Sequence, residues 1–312
     1  MGEGKIAAER GQAPSASLGT LVSVVIPVLN DFERLTSCLE ALERQTWPRS
    51  ALEVLVVDNG STGDIHGVVA PFEFVRLLVE PTPGSYSARN RALLEARGDV
   101  LAFTDVDCVP DRQWLEQGVE ALRRAGPLAI AGGKVEVFAH DAGRETWAEE
   151  FELALGFSQQ LYIERRHYCA TANMFTTPEV FARVGAFNGA LKSSGDQEWG
   201  RRAHAAGVRF VYAEGALIRH PARRTLAELL HKRARLVGGH LAIARAQHPE
   251  WVAFSKVLLK ACLPPVMRVA RAHRAGNGSW RRDARLFALG TLLQAWSVRE
   301  LMRLRFGGAP QR

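Results

Sequence analysis

The chain has 312 residues, 47% hydrophobic and 23% charged, with 28 Gly, 14 Pro and 4 Cys. That apolar fraction fills a genuine core and the length allows about two domains, so collagen-like, low-complexity and disulfide-scaffold chains are excluded. The net charge of +7 conceals an asymmetry: from Arg219 onward there are 19 Lys/Arg against 4 Asp/Glu, whereas residues 1–218 carry 21 against 29.

Residues 21–28 (LVSVVIPV) form a near-continuous β-branched run, the pattern of a strand buried on both faces. Helical spacing follows over 31–45, with Leu35, Leu39 and Leu42 on one side and Asp31 placed as an N-cap. A second buried strand at 52–57 is closed by the turn residues Asp58-Asn59-Gly60-Ser61, and 73–79 offers a third. A helix over 84–96, a strand at 100–104 and a helix over 111–125 complete the regular part. Strands alternating with helices predict a parallel, doubly wound α/β sheet. Beyond it the spacing predicts a strand at 128–138, a helix over 144–160, a helix over 197–206 and short strands at 208–212 and 216–219. After Pro221 the pattern is helical, in segments near 226–244, 251–272 and 283–304 with a Gly/Asn/Ser turn at 276–279. The domain reading is a disordered lead-in (1–20), an α/β unit (21–222) and a basic, mainly helical extension (223–312).

Cys38, Cys108, Cys169 and Cys262 contain no CxxC pair, which removes zinc-ribbon and dithiol motifs and fits a reduced cytoplasmic compartment. Residues 1–20 lack the apolar run of a signal peptide, and Ile6 stands where myristoylation needs Ser or Thr. The longest uncharged stretch of the C-terminal extension, 286–298, is too short to span a bilayer. The expectation is a cytoplasmic protein, either soluble or peripheral on the membrane.

Ligands of an open parallel sheet bind beyond the carboxyl ends of its strands. Here those ends carry Asn30, Asp58, and the pair Asp105 and Asp107. Each Asp taken alone reads more simply as a cap or turn residue; as a set at three strand ends they point to function. Two carboxylates at i and i+2 offer hard oxygen ligands to Mg²⁺ or Mn²⁺, which would hold a diphosphate. The first strand–helix turn, Pro27-Val28-Leu29-Asn30, has no GxGxxG, and neither a Walker A sequence nor a GxSxG elbow is present. A metal is then the natural partner of a pyrophosphate.

The segments VSVVIPVLNDFERLTSCLEALERQT, LEVLVVDNGST and GSYSARNRALLEARGDVLAFTDVD resemble, in order and spacing, family 2 glycosyltransferases of the GT-A fold. TANMFTTPEVFARVGAFN and SGDQEWGRRAHAAGVRFVYAEGALIRHPAR resemble the acceptor-side half, so the likeness covers about residues 21–223. It implies a GT-A type, mostly parallel Rossmann-like sheet flanked by helices, with a C-terminal helical extension. Pro27, Val28 and Asn30 would line the nucleotide pocket, and Asp58 would accept a hydrogen bond from the base, typically uracil in members using UDP-sugars. Arg89 would approach the nucleotide, Asp105 the ribose or metal, Asp107 would ligate the metal, and His220 would complete its protein ligands. An inverting transfer needs one carboxylate to take the acceptor hydroxyl's proton; the resemblance assigns this to Asp196, with Glu198 as the fallback.

Two departures stand out. The family usually shows Glu-Asp where this chain has Gly195-Asp196, and an Asp directly after Ser-Thr where this chain has Gly63-Asp64. The second shift alters a helix cap rather than chemistry. Trp199 could stack on an acceptor sugar, although core packing is the simpler reading.

The one-signed charge of the extension, interleaved with apolar stripes such as Leu286, Leu289, Leu293 and Trp296, resembles an in-plane interfacial helix and suggests an anionic membrane surface as partner. No helix-turn-helix, RNP motif or zinc finger suggests nucleic acid. The resulting reading is a metal-dependent inverting glycosyltransferase acting on a glycan or lipid-linked acceptor. The alternatives are a nucleotidyltransferase making nucleotide-sugars, which would carry a Gly-rich basic loop after the first strand, and a non-catalytic binding module.

Overall fold

The computed structural model describes residues 19–275 and 279–311. Most of the expected lead-in, and the centre of the expected turn at 276–279, lie outside them. Chain order is β1 (Val22–Val28), α1 (Phe32–Glu43), β2 (Leu52–Asp58), α2 (Ile65–Val69), β3 (Val75–Val79), α3 (Ser85–Leu93), β4 (Val100–Thr104), β5 (Val109–Pro110), α4 (Trp114–Ala125) and β6 (Ala129–Phe138). There follow α5 (Trp147–Leu155), α6 (Gln159–Arg166), β7 (Asn173–Thr176), α7 (Pro178–Val184), α8 (Gly195–Ala205), β8 (Arg209–Pro221), α9 (Leu226–Gln247), α10 (Glu250–Cys262), α11 (Val266–Ala275) and α12 (Trp280–Arg305).

One eight-stranded sheet runs β3-β2-β1-β4-β7-β6-β8-β5. Its first four strands are parallel, as expected, so their carboxyl ends share one edge. The second half is mixed: β7 lies antiparallel to both β4 and β6, β6 runs parallel to β8, and β5 pairs antiparallel with β8. The fold is therefore α/β with a mixed sheet. β1 is buried at every position and feeds both faces. Val22, Val24 and Ile26 pack with α1 and α4, while Val25 joins Leu55, Phe103 and the aromatic cluster beneath α8. This is the period-2 alternation of a strand between two helical layers.

Where expectation and structure differ, the backbone gives the reason. The helix expected over 144–160 breaks at Gly156, whose Cβ would meet Glu152 O at 2.7 Å. The segment 251–272 splits at Leu263-Pro264-Pro265, since proline removes a helical N–H and restricts the residue before it. The two short strands after residue 207 are one strand, β8, bent by a bulge where the β6 register jumps from Gly133↔Ala213 to Val135↔Ile218. Asp31 occupies the N-cap position without a capping bond and instead pairs with Arg34. Asp64 does cap α2, accepting from Gly67 N–H at 2.9 Å.

The C-terminal helices pack on the α/β body. α9 opens with a Thr225–Glu228 capping box and shares Val237 and Leu241 with Leu301 and Leu304 of α12. Glu152 of α5 joins the layers, receiving Lys232 of α9 at 2.6 Å and Arg223, just past β8, at 3.0 Å. Burial pushes the Glu152 carboxyl up, but the two cations outweigh it and hold it at about 2. Lys232, conversely, is drawn down by its own burial and by Arg223, so the pairing is asymmetric and worth less than the Glu152 shift alone. A carboxylate whose folded pKa is depressed adds stability above its unfolded pKa and loses it as pH falls toward the folded value. Glu152→Gln is therefore expected to lower unfolding free energy at neutral pH by about 2 kcal/mol, with wild type and variant converging below the ordinary Glu range. Denaturant melts at several pH values measure this. Among the described residues no helix is long and apolar enough to cross a membrane.

Candidate active site

The shared strand edge assembles the site. Val28 of β1 is in register with Asp58 of β2, and Val25 with Phe103 of β4. The residues after β1, β2 and β4 therefore emerge side by side. Pro27 and Val28 stay buried inside β1, whereas Asn30 turns out with φ 55°, a left-handed conformation Asn tolerates. Asn30 Oδ1 accepts from Thr62 N–H at 2.7 Å, and Asn30 N–H donates to Ser61 Oγ at 2.9 Å. Asp58, buried, accepts from Ser61 N–H at 2.9 Å. Asn59, read from sequence as turn chemistry, ties this wall together: its amide donates to Glu80 O and Thr82 O, both at 2.8 Å, and its Oδ1 accepts from Gly84 N–H.

Asp105 and Asp107 follow β4. Buried Arg89 of α3 donates through Nη2 to Asp105 Oδ1, while its Nε has no protein partner. The Arg89 guanidinium lies 5.4 Å from the Tyr86 ring centre, and the Tyr86 hydroxyl donates to Asp196 Oδ1 at 3.1 Å. A continuous chain of contacts thus joins Asp105, Arg89, Tyr86 and Asp196.

Asp196 sits in the first turn of α8, where Oδ1 also accepts from Gln197 N–H at 2.8 Å. Burial raises its pKa; Gln197 N–H, Arg89 and the Tyr86 hydroxyl oppose the rise, and Asp105 adds to it. A Cβ at Gly195 would lie 2.6 Å from the Tyr86 ring. The Tyr86 ring thus fills the space that any side chain at residue 195 would need. Glu198, two residues on, projects about 200° around the helix from Asp196 and forms a two-pronged pair with Arg202 at 2.7 and 3.1 Å. The structure does not bring it into the Tyr86–Asp196 contact. Trp199 is core: it is 1% exposed, stacks on Phe181 and donates to Gly185 O.

His220 reaches Asp107 because β5 pairs with the end of β8, Val109 opposite Arg219. Its Nδ1 lies 2.8 Å from Pro221 O, a carbonyl that can only accept, so Nδ1–H is the donor and in the neutral ring the lone pair sits on Nε2. Nε2 faces Asp107 Oδ2 at 3.4 Å. Two acceptors held at that separation fit a cation between them better than they fit each other. No group of three His, Cys, Asp or Glu side chains suited to a metal occurs among the described residues, so an ion held here would take its other ligands from substrate and water.

Sequence reading missed Arg235. On α9, Lys232, Arg235 and Gly239 share a face at i, i+3 and i+7. Lys232 meets Glu152, and a Cβ at Gly239 would lie 2.4 Å from Ser193 O, just before Asp196. Between them Arg235 has a buried Nε without a partner. Burial and Arg223 lower its pKa, while Asp105, Tyr86 and Asp107 oppose that fall.

Comparison with known proteins bears on the family and the fold. The Glycosyl transferase family 2 profile matches residues 23–194. Glycosyltransferase AglE of Haloferax volcanii is 37% identical over 227 residues, covering 71% of this chain and 73% of its own. The pre-mycofactocin glycosyltransferase of Mycobacterium tuberculosis is 27% identical, covering 77% of this chain and 51% of its own. Among solved structures, the mannosyltransferase PcManGT from Pyrobaculum calidifontis, in complex with GDP-Man and Mn²⁺, superposes with a TM-score of 0.62 at 20% identity, over 93% of this chain and 88% of that one. TarS 1–349 of S. aureus with UDP-GlcNAc gives 0.55 at 17% identity, over 92% of both chains. These neighbours share the GT-A fold. The chain is a glycosyltransferase and belongs to family 2.

Proposed function

We propose that the protein is a metal-dependent, inverting glycosyltransferase that moves one sugar from a nucleoside-diphosphate donor to a hydroxyl of a glycan or lipid-linked acceptor. The observation carrying this reading is the chain of contacts from Asp105 through Arg89 and Tyr86 to Asp196, which fixes a donor-side carboxylate and a candidate base in one network. Asn30 and Asp58 form the nucleoside wall, with Asp58 accepting the N–H of a uracil ring. Asp107 and His220 would hold Mn²⁺ or Mg²⁺, which when bound neutralises diphosphate charge; PcManGT was solved with Mn²⁺.

Asp196 acts as the base through Oδ2, because both its hydrogen bonds fall on Oδ1. As the acceptor oxygen bonds to the anomeric carbon, Oδ2 takes its proton, and the bond from that carbon to the diphosphate oxygen breaks on the opposite face. The electron pair leaves with the nucleoside diphosphate, whose growing charge faces Arg235. Removing one such preorganised charge costs about 10²-fold, so Arg235→Met is expected to lower kcat by about that factor with donor affinity changed much less.

The test is a thermal-shift and calorimetric screen of UDP-, GDP- and dTDP-sugars with and without Mn²⁺. A UDP-sugar that raises Tm only with the ion supports the reading, since bound ligand stabilises by mass action. NMR of the product anomer with that donor then reads inversion directly; retained configuration overturns the mechanism.

A further inference from the structure

Ten large hydrophobic side chains between Trp251 and Phe306 are exposed, more than in all the rest of the described chain. On α10, Trp251 (74% exposed) and Leu259 (68%) lie on one outer stripe; Phe254, Val257 and Leu258 turn inward to the α9–α12 contact. The stripe runs into the Leu263-Pro264-Pro265 corner and the first turn of α11, where Leu263 and Val266 are more than half exposed and Met267 is 81% exposed. Beside it an open groove of about 430 Å³ between α11 and α12 is walled by Val266, Val269, Ala270 and Phe287. A second bare tryptophan, Trp280 (74%), opens α12.

Folding has thus turned one face of α10 and α12 inward and left apolar side chains exposed on another. The sequence of this region is predominantly basic: residues 250–285 hold eight Lys/Arg against two acidic residues. An interface with a second protein depletes Lys at its centre and tolerates both signs at its rim. A surface of exposed Trp, Leu and Met surrounded by Lys and Arg instead matches the boundary of an anionic bilayer, where tryptophan sits at headgroup level and basic side chains meet phosphate.

We infer that the crest formed by α10, the Pro264-Pro265 corner and the start of α11 docks on the surface of an anionic phospholipid membrane. The contact proposed is with the membrane surface; among the described residues no helix is long and apolar enough to cross a bilayer. The crest is built on the same helical layer that packs on the α/β body through α9, so docking leaves that body standing on the membrane by its C-terminal helices. The inference is independent of which sugar is transferred.

Co-sedimentation of the full chain with vesicles tests it. With phosphatidylcholine–phosphatidylglycerol vesicles at low salt the protein is expected to pellet, and with phosphatidylcholine alone to bind about tenfold less. Adding salt should release it. The double variant Trp251→Glu, Met267→Glu should weaken binding to the anionic vesicles by about tenfold or more while keeping the wild-type melting temperature. Leu94→Glu, at an 80% exposed position on the α/β body, should leave binding unchanged. Equal binding to both vesicle types, no binding to anionic vesicles, or full binding by the double variant overturns the proposal. So does a dimer in analytical ultracentrifugation that Met267→Glu dissociates without loss of vesicle binding, because the crest would then belong to a second copy.

Discussion

Asp196→Asn is expected to bind the nucleotide-sugar as the wild type does and to lose transfer activity by about 10³-fold, within the range ascribed to a positioned general base. The amide keeps the size of the carboxylate, and its Oδ1 can still accept from the Tyr86 hydroxyl and from Gln197 N–H. Folding and donor binding are therefore spared while the proton acceptor is lost. Single-turnover assays beside calorimetric donor titration separate the two effects; full activity in the variant would require another base. The pH profile provides a second readout. Burial raises the Asp196 pKa, and the base works only when deprotonated. The acid limb of kcat should accordingly lie above the ordinary aspartate range, with activity falling as pH drops through it. Tyr86→Phe removes a bond that favours the charged carboxylate and should move that limb to still higher pH.

Asp107→Ala should strike binding rather than proton transfer. His220 Nε2 and Asp107 Oδ2 face each other at 3.4 Å, and the imidazole is held in its tautomer by Pro221 O. Without the carboxylate an ion would keep one protein ligand, and the diphosphate would lose its bridge to the sheet edge. Mn²⁺-dependent donor affinity is expected to fall by about a hundredfold, erasing about 2.7 kcal/mol of ligand stabilisation. The measurement is the Tm shift by nucleoside diphosphate with Mn²⁺ and with chelator. Wild type should lose its shift on chelation, whereas Asp107→Ala should show little shift in either condition. His220→Ala should behave alike but more mildly, because the carboxylate stays. An undiminished Mn²⁺-dependent shift in Asp107→Ala would move the metal elsewhere.

Much of the donor half was legible because its strands leave little choice. Runs such as 22–28 and 100–104 are apolar at nearly every position, and only a strand buried on both faces uses such a run. Polar residues directly after them could be read as lining the edge. β7 escaped notice: it has four residues, and its polar Asn173 makes sense only once folded, when its amide donates to Lys134 O and Ala216 O and its Oδ1 receives Trp114 Nε1–H. Periodicity cannot reveal a side chain whose partners lie some 40–60 residues away. Tyr86 was hidden for the same reason, its role depending on the space left by Gly195. Arg235 was harder still. It stands in a helix crowded with Lys232, Arg233 and Arg245, and only the docking of α9 shows that its Nε is buried without a partner.

The contact of Gly239 with the segment before Asp196 has a bearing on how such enzymes can be recombined. The family profile ends at residue 194, yet a Cβ at Gly239 would press to 2.4 Å on Ser193 O. A chimera grafting a foreign tail onto this body would have to bring a residue without a side chain to that spot and a cation one turn earlier. Swapping tails would then also disturb the segment that leads into Asp196, so the extension and the α/β body are inherited together.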